Sequence, residues 1–155
     1  MQTSAATELL ERIAAAAASE SPLWAEQLRT EPDGEPVFGP LVRAELALGV
    51  ETIYEGYLVH YGRPRLFAPA DAETALLLGD YLYAHGLVRV AATGDLDAVA
   101  ILAELISACA ALRAEDAPGD GDAWLAAARR LSGPSNSLLL GLSERALAAH
   151  AERVG

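Results

Sequence analysis

The sequence predicts an all-α fold, a single-domain antiparallel bundle of about six to seven helices. Three observations carry this. Hydrophobic residues make up 52% of the 155 residues, largely Ala and Leu with only two Phe, a composition that favours closely packed helices over sheets. Apolar positions recur at helical spacing, and no segment shows convincing strand alternation. Pro, Gly and Asp punctuate the chain where helices would stop and start. The length suffices for one domain with a real core.

The first helix is expected from about Thr3 to Ser19. Ser21 caps the second, with Pro22 at its first position. Residues 30–40, "TEPDGEPVFGP", form a Pro- and Gly-rich loop. Pro40 opens the third helix, "PLVRAELALGVETIYEGYLVH", which runs to His60. Residues 61–70 form a second loop. Asp71 caps a fourth helix reaching about Thr93, and "TGD" at 93–95 stops it and caps the next. The fifth helix, from Asp95 to about Glu115, is apolar on most sides. "APGDGD" at 117–122 reads as the most flexible linker. Asp122 caps a short sixth helix ending at Gly133, and Pro134 to Ser137 turn the chain into the last helix, which ends near Gly155. This divides the chain into a helical core at 1–116, a linker at 117–122 and two C-terminal helices at 123–155 that pack on the core.

The formal net charge is −11, and every basic side chain is Arg. Such a chain is repelled by nucleic-acid phosphates and anionic lipid heads, so no nucleic-acid partner is expected. The absence of Lys removes Schiff-base chemistry. Cys109, the single cysteine, lies in the apolar run "LISACAAL" and reads as a small core residue. No basic region followed by a long apolar stretch opens the chain, and "IAAAAAS" is too short to span a bilayer. A soluble cytoplasmic protein with no membrane span is expected.

Few residues suggest chemistry. Glu51 and Glu55 are an i,i+4 carboxylate pair with His60 just beyond, a set that holds a divalent metal if it faces a cavity. Beside Glu45, in so acidic a chain, they read instead as a solvated acidic stripe. Gly79 inside the fourth helix costs on the order of 1 kcal/mol relative to Ala, which points to a close helix–helix approach. Asp80, on a mostly apolar helix, calls for a specific hydrogen-bond partner. His85 and His150 read as ordinary helix residues, and Arg129-Arg130 as a surface pair. No nucleophile elbow, P-loop or Rossmann glycine pattern is present. The catalytic assignment is therefore none, and no cofactor is expected.

Residues 37–110 resemble the N-terminal half of trans-type polyprenyl diphosphate synthases. "GPLVRAELALG" is similar to the family's helix after its basic N-terminal loop. "VETIYEGYLVH" is similar to the helix whose final His precedes the first aspartate-rich motif. Gly62-Arg63-Pro64 resembles the family's Arg-Gly-Arg-Pro turn. "ETALLLGDYLYAHGLVRVAATGD", with Gly79-Asp80-Tyr81, resembles its next long helix, and Pro64 to Gly79 fits without a gap. The resemblance covers about half the chain. It implies a truncated isoprenoid-synthase fold.

The family places its Asp-Asp-x-x-Asp motif between positions matching His60 and Gly62; here only Tyr61 stands there. The basic diphosphate loop is replaced by Gly-Glu-Pro-Val-Phe-Gly-Pro at 34–40. Without clustered carboxylates the Mg²⁺ that would neutralise a departing diphosphate has no site. The resemblance thus implies a non-catalytic accessory subunit, pairing with itself or with a full-length polyprenyl synthase in isoprenoid biosynthesis. Alternatives are a helical scaffold or prenyl-binding module, with Gly56, Tyr57 and His60 lining the old tunnel, and last an altered-site prenyltransferase using Glu51, Glu55, His60 and Asp80. In the family the helices matching 71–93 and 95–115 form much of the dimer interface. Here they carry Leu76, Leu77, Leu78, Leu82, Val88, Leu102 and Leu105, more than one face can hide. Dimerisation through that surface is expected, with Leu82→Arg or Leu105→Arg disrupting it.

Overall fold

Three expected helix starts rest on caps that the sequence displays, and the structure, a computed structural model that describes residues 4–133 and 139–155, contains all three. Ser21 Oγ accepts the Leu23 N–H, Asp71 the Thr74 N–H and Asp95 the Ala98 N–H, each satisfying a donor left free at a helix start. Among the described residues there are seven α-helices: α1 (Ala5–Glu20), α2 (Pro22–Glu26), α3 (Ala47–Tyr61), α4 (Ala72–Ala91), α5 (Leu96–Ala114), α6 (Asp120–Arg130) and α7 (Leu139–Val154). They contain no strand, only one isolated bridge between Leu28 and Phe67. The all-α reading therefore holds. No helix among them is long and apolar enough to cross a membrane. Thr3 and the turn expected at Pro134–Ser137 lie outside the described residues.

Two helix starts differ from expectation. The third helix begins at Ala47, not Pro40. Pro40 instead enters a 3-10 turn, Gly39–Leu41, and a second turn, Ala44–Leu46, follows. Between them Val42 is extended, and the Arg43 N–H donates to Leu131 O, 3.0 Å away at the end of α6. That tertiary bond takes the chain out of helical register. The sixth helix begins at Asp120, not Asp122. Gly119, at φ +115°, makes the left-handed turn that precedes it. Half of the expected linker is thus helical.

The third, fourth and fifth helices were expected to form the core, the fourth and fifth being the most apolar. The centre is α3: every residue from Gly49 to Val59 is buried. It packs antiparallel on α4 along a seam of four glycines. A Cβ on Gly49 would lie 3.1 Å from Gly86 O, and one on Gly56 would lie 3.0 Å from Gly79 O. Position numbers rise on one helix as they fall on the other, so each glycine of α3 meets one of α4 and the backbones touch. The close approach inferred at Gly79 is one of these contacts.

Two apolar clusters flank this pair. Leu10, Ile13 and Ala17 of α1 and Trp24 of α2 pack with Val59, Leu66, Phe67, Leu78 and Leu82. On the other side Leu102, Leu105 and Cys109 of α5, Trp124 and Leu125 of α6 and Ala146 of α7 pack with Phe38, Ile53, Tyr54 and Tyr57. Leu82 and Leu105 are therefore core residues of the monomer and are poor probes of association, a correction to the expected test.

Candidate functional site

Glu51 and Glu55 lie one turn apart on the most buried helix, and both are fully buried. The solvated-stripe reading is corrected here. The partner that makes this burial tolerable is Arg65, also 0% exposed, supplied by the loop after α3. Its guanidinium pairs with Glu51 Oε1, and its Nε donates to Glu55 Oε1 at 3.0 Å. Backbone donors fill the other carboxylate positions. Glu51 Oε2 accepts N–H groups from Val37 at 2.9 Å and Gly39 at 2.6 Å, and Glu55 Oε2 accepts from Leu66 at 2.7 Å. Arg65 also donates to Glu35 O at 2.9 Å and lies 5.1 Å from the Tyr54 ring centre. Burial works against its charge, but the two carboxylates outweigh burial and hold its pKa above the ordinary value. This cluster ties both long loops to α3. Each carboxylate oxygen already has a donor, so the pair has no free position for a metal. No group of three or more His, Cys, Asp or Glu among the described residues is placed to hold one.

The residues expected to line a tunnel each pack against other parts of the chain. Gly56 faces α4 at the glycine seam. The His60 ring fills the notch over Gly79, where a Cβ would come within 2.4 Å of it, and Nε2 lies 3.2 Å from Asp80 Oδ1. Asp80 thus has a close contact with His60, without the expected hydrogen bond, and on an exposed rather than buried surface. Tyr57 donates to Asp120 Oδ2 at 2.5 Å. None of these residues lines the cleft beside loop 33–41 or the one between α5 and α6. Gly62 ends α3, and the Arg63 N–H donates to Arg153 O at 3.0 Å, stapling this turn to the end of α7. Pro64 O accepts from Arg29 Nε. Tyr81 stacks on Trp24 at 5.6 Å and on His85 at 5.4 Å.

A second buried polar network went unread in the sequence. Tyr54 Oη lies 2.8 Å from His150 Nδ1, and His150 Nε2 lies 3.0 Å from Asp120 Oδ2. Arg113 donates to Asp120 Oδ2 at 2.8 Å and to Tyr57 Oη at 3.0 Å. His150 is therefore not an ordinary helix residue; it joins α7 to α3 and α6. Burial lowers its pKa, ahead of the opposing effect of Asp120. For Asp120 burial acts upward, but the Tyr57 hydrogen bond and the His150 and Arg113 charges leave the net shift downward. Burial also raises the Tyr54 and Tyr57 hydroxyls and pushes the Cys109 thiol up to about 12.

A cleft of about 520 Å³ runs between loop 33–41 and α7. Arg63, Arg145 and Arg153 line it together with Asp33, Glu35 and Glu152, so its charges balance and it selects no anion. The outer surface of α4 and α5 exposes large apolar side chains among its acidic ones. Leu76 (58% exposed), Leu77 (57%), Val88 (63%) and Leu96 (71%) stand in solvent. Along α5 the exposed line Leu96, Ala100, Ala103, Ser107, Ala110 and Ala114 carries no charge for five turns. Its 4,3,4,3,4 spacing is that of a helix-pairing seam.

Comparison with family models, with curated proteins and with solved structures finds no match to this chain.

Proposed function

We propose that this chain is a non-catalytic helical subunit that acts by pairing, with itself or with a catalytic chain of the polyprenyl diphosphate synthase type. The observation that carries the reading is the uncharged exposed line of α5 together with the exposed Leu76, Leu77, Val88 and Leu96, in a chain of net charge −11. Burying an exposed Leu or Val side chain contributes roughly 1.5–3 kcal/mol, so a partner that covers four of them gains a substantial part of its affinity there. The motif resemblance supplies the class of the catalytic partner. The state of Glu51 and Glu55 argues against an altered-site enzyme, because their oxygens are occupied by Arg65 and backbone N–H groups.

The test has two parts. Light scattering at micromolar concentration should report at least a dimer, or a monomer that becomes a heteromer on co-expression with a full-length synthase. A monomer that binds no synthase refutes the proposal. The isolated protein should show no magnesium-dependent pyrophosphate release from an allylic diphosphate and isopentenyl diphosphate. Release above a no-protein control refutes the non-catalytic half.

A further inference from the structure

His150 is buried at 3% exposure and faces chemistry from every element around it. From α3 come Tyr54 and Tyr57, with ring centres at 5.7 Å and 6.0 Å. From α6 comes Asp120, and a Cβ on Gly121 would touch the His150 ring at 3.1 Å. From α5 Arg113 reaches the same Asp120 oxygen. From the loop before α3, Phe38 packs at 5.9 Å. The polar positions fix one tautomer. Asp120 is a carboxylate and only accepts, so His150 Nε2 carries the hydrogen. Nδ1 is then an acceptor, and the Tyr54 hydroxyl donates to it.

We propose that His150 is an acid-released latch that holds α7 against the body of the protein. A proton added at Nδ1 would face the hydroxyl hydrogen of Tyr54. Nδ1–H would then donate to the Tyr54 oxygen, and the hydroxyl hydrogen, with no other acceptor among the described residues, would turn away and be left unsatisfied in a buried site. The same proton would bring a second positive charge close to Arg113. The ion pair with Asp120 acts the other way, but that oxygen already accepts from Tyr57 and Arg113. In an undocked α7 the imidazole is hydrated and takes its proton at the ordinary pH. Docking therefore weakens as the pH falls below that of an ordinary histidine, by up to about tenfold per pH unit for one proton. Release uncovers the stacked pair Phe38 and Trp124, 5.3 Å apart, and the Tyr54 ring beside them.

Two measurements on the full chain test this. In the first, hydrogen exchange and Trp124 fluorescence are followed from pH 7.5 to 5, with Trp24→Phe removing the other tryptophan. The expected result is loss of α7 protection and a red-shifted emission with a one-proton slope, while α3 and α4 stay protected. His150→Gln keeps an acceptor for Tyr54 and a donor for Asp120 but cannot titrate, so its profile should be flat. A wild-type profile that is flat, or one that His150→Gln reproduces, overturns the latch. In the second, which needs no variant to fold, nitrogen NMR of the imidazoles should find His150 neutral at pH 6.5, with its proton on Nε2. A charged His150 in the folded protein at that pH also overturns it.

Discussion

Arg65→Met should be among the most damaging single substitutions in this protein. The methionine approximates the volume of the arginine stem but removes the guanidinium. Two carboxylates, Glu51 and Glu55, then remain at 0% exposure with no cation. Breaking a buried pair by removing one partner costs about 3–5 kcal/mol. Backbone N–H groups of Val37, Gly39 and Leu66 still serve the carboxylates, which keeps the expected value within that range rather than above it. For a domain of this size each kcal/mol lowers Tm by roughly 2–4 °C, so a drop of roughly 6–20 °C is expected. Thermal and urea unfolding followed by circular dichroism measures it. The control is Arg65→Met combined with Glu51→Gln and Glu55→Gln. The amides carry no charge, and their oxygens still accept the N–H groups of Val37, Gly39 and Leu66, so this triple variant should be more stable than the single one. Hydrogen exchange supplies a local readout: the Val37, Gly39 and Leu66 amides should lose protection first. A single variant that loses less than about 1 kcal/mol, within the usual range for a surface change, would refute the account. So would a triple variant no more stable than the single.

Three further outcomes follow from the packing. Gly86→Ala places a methyl 2.4 Å from Ile53 Cγ1 and 2.9 Å from Gly49 O; the backbone contact cannot yield, and unfolding should show a loss of about 1–3 kcal/mol despite the better helix former. Cys109 is 1% exposed and its thiol is pushed up to about 12, so it should resist alkylation at pH 8 in the native protein and react once urea unfolds it. Ala103→Arg, on the exposed line of α5, should leave the melting temperature within a degree or two but break any self-association seen by light scattering; unchanged assembly would move the interface elsewhere.

The helices were legible because their signals are local. Ser21, Asp71 and Asp95 bond amides two or three residues away, and a reader of the sequence sees both partners. What escaped depends on partners far along the chain. Glu51 and Glu55 look like surface charge until Arg65 is placed between them, and the loop that brings it has no periodicity to read. One signal was available: an acidic pair on a helix otherwise made of Val, Ile, Tyr and Leu needs a cation, and the first arginines after that helix are Arg63 and Arg65. His150 and Asp120 lie 30 residues apart, and Tyr54 is 96 residues from His150, so no spacing rule links them. Apolarity misled for a related reason. Counting Leu and Val ranks α4 and α5 above α3, yet burial follows position in the bundle. The helix that carries Glu51, Glu55, Tyr54 and Tyr57 is central because its polar groups all meet partners there. The apolar side chains left over on α4 and α5 then have nothing among the described residues to cover them, and that surplus is what the pairing proposal rests on.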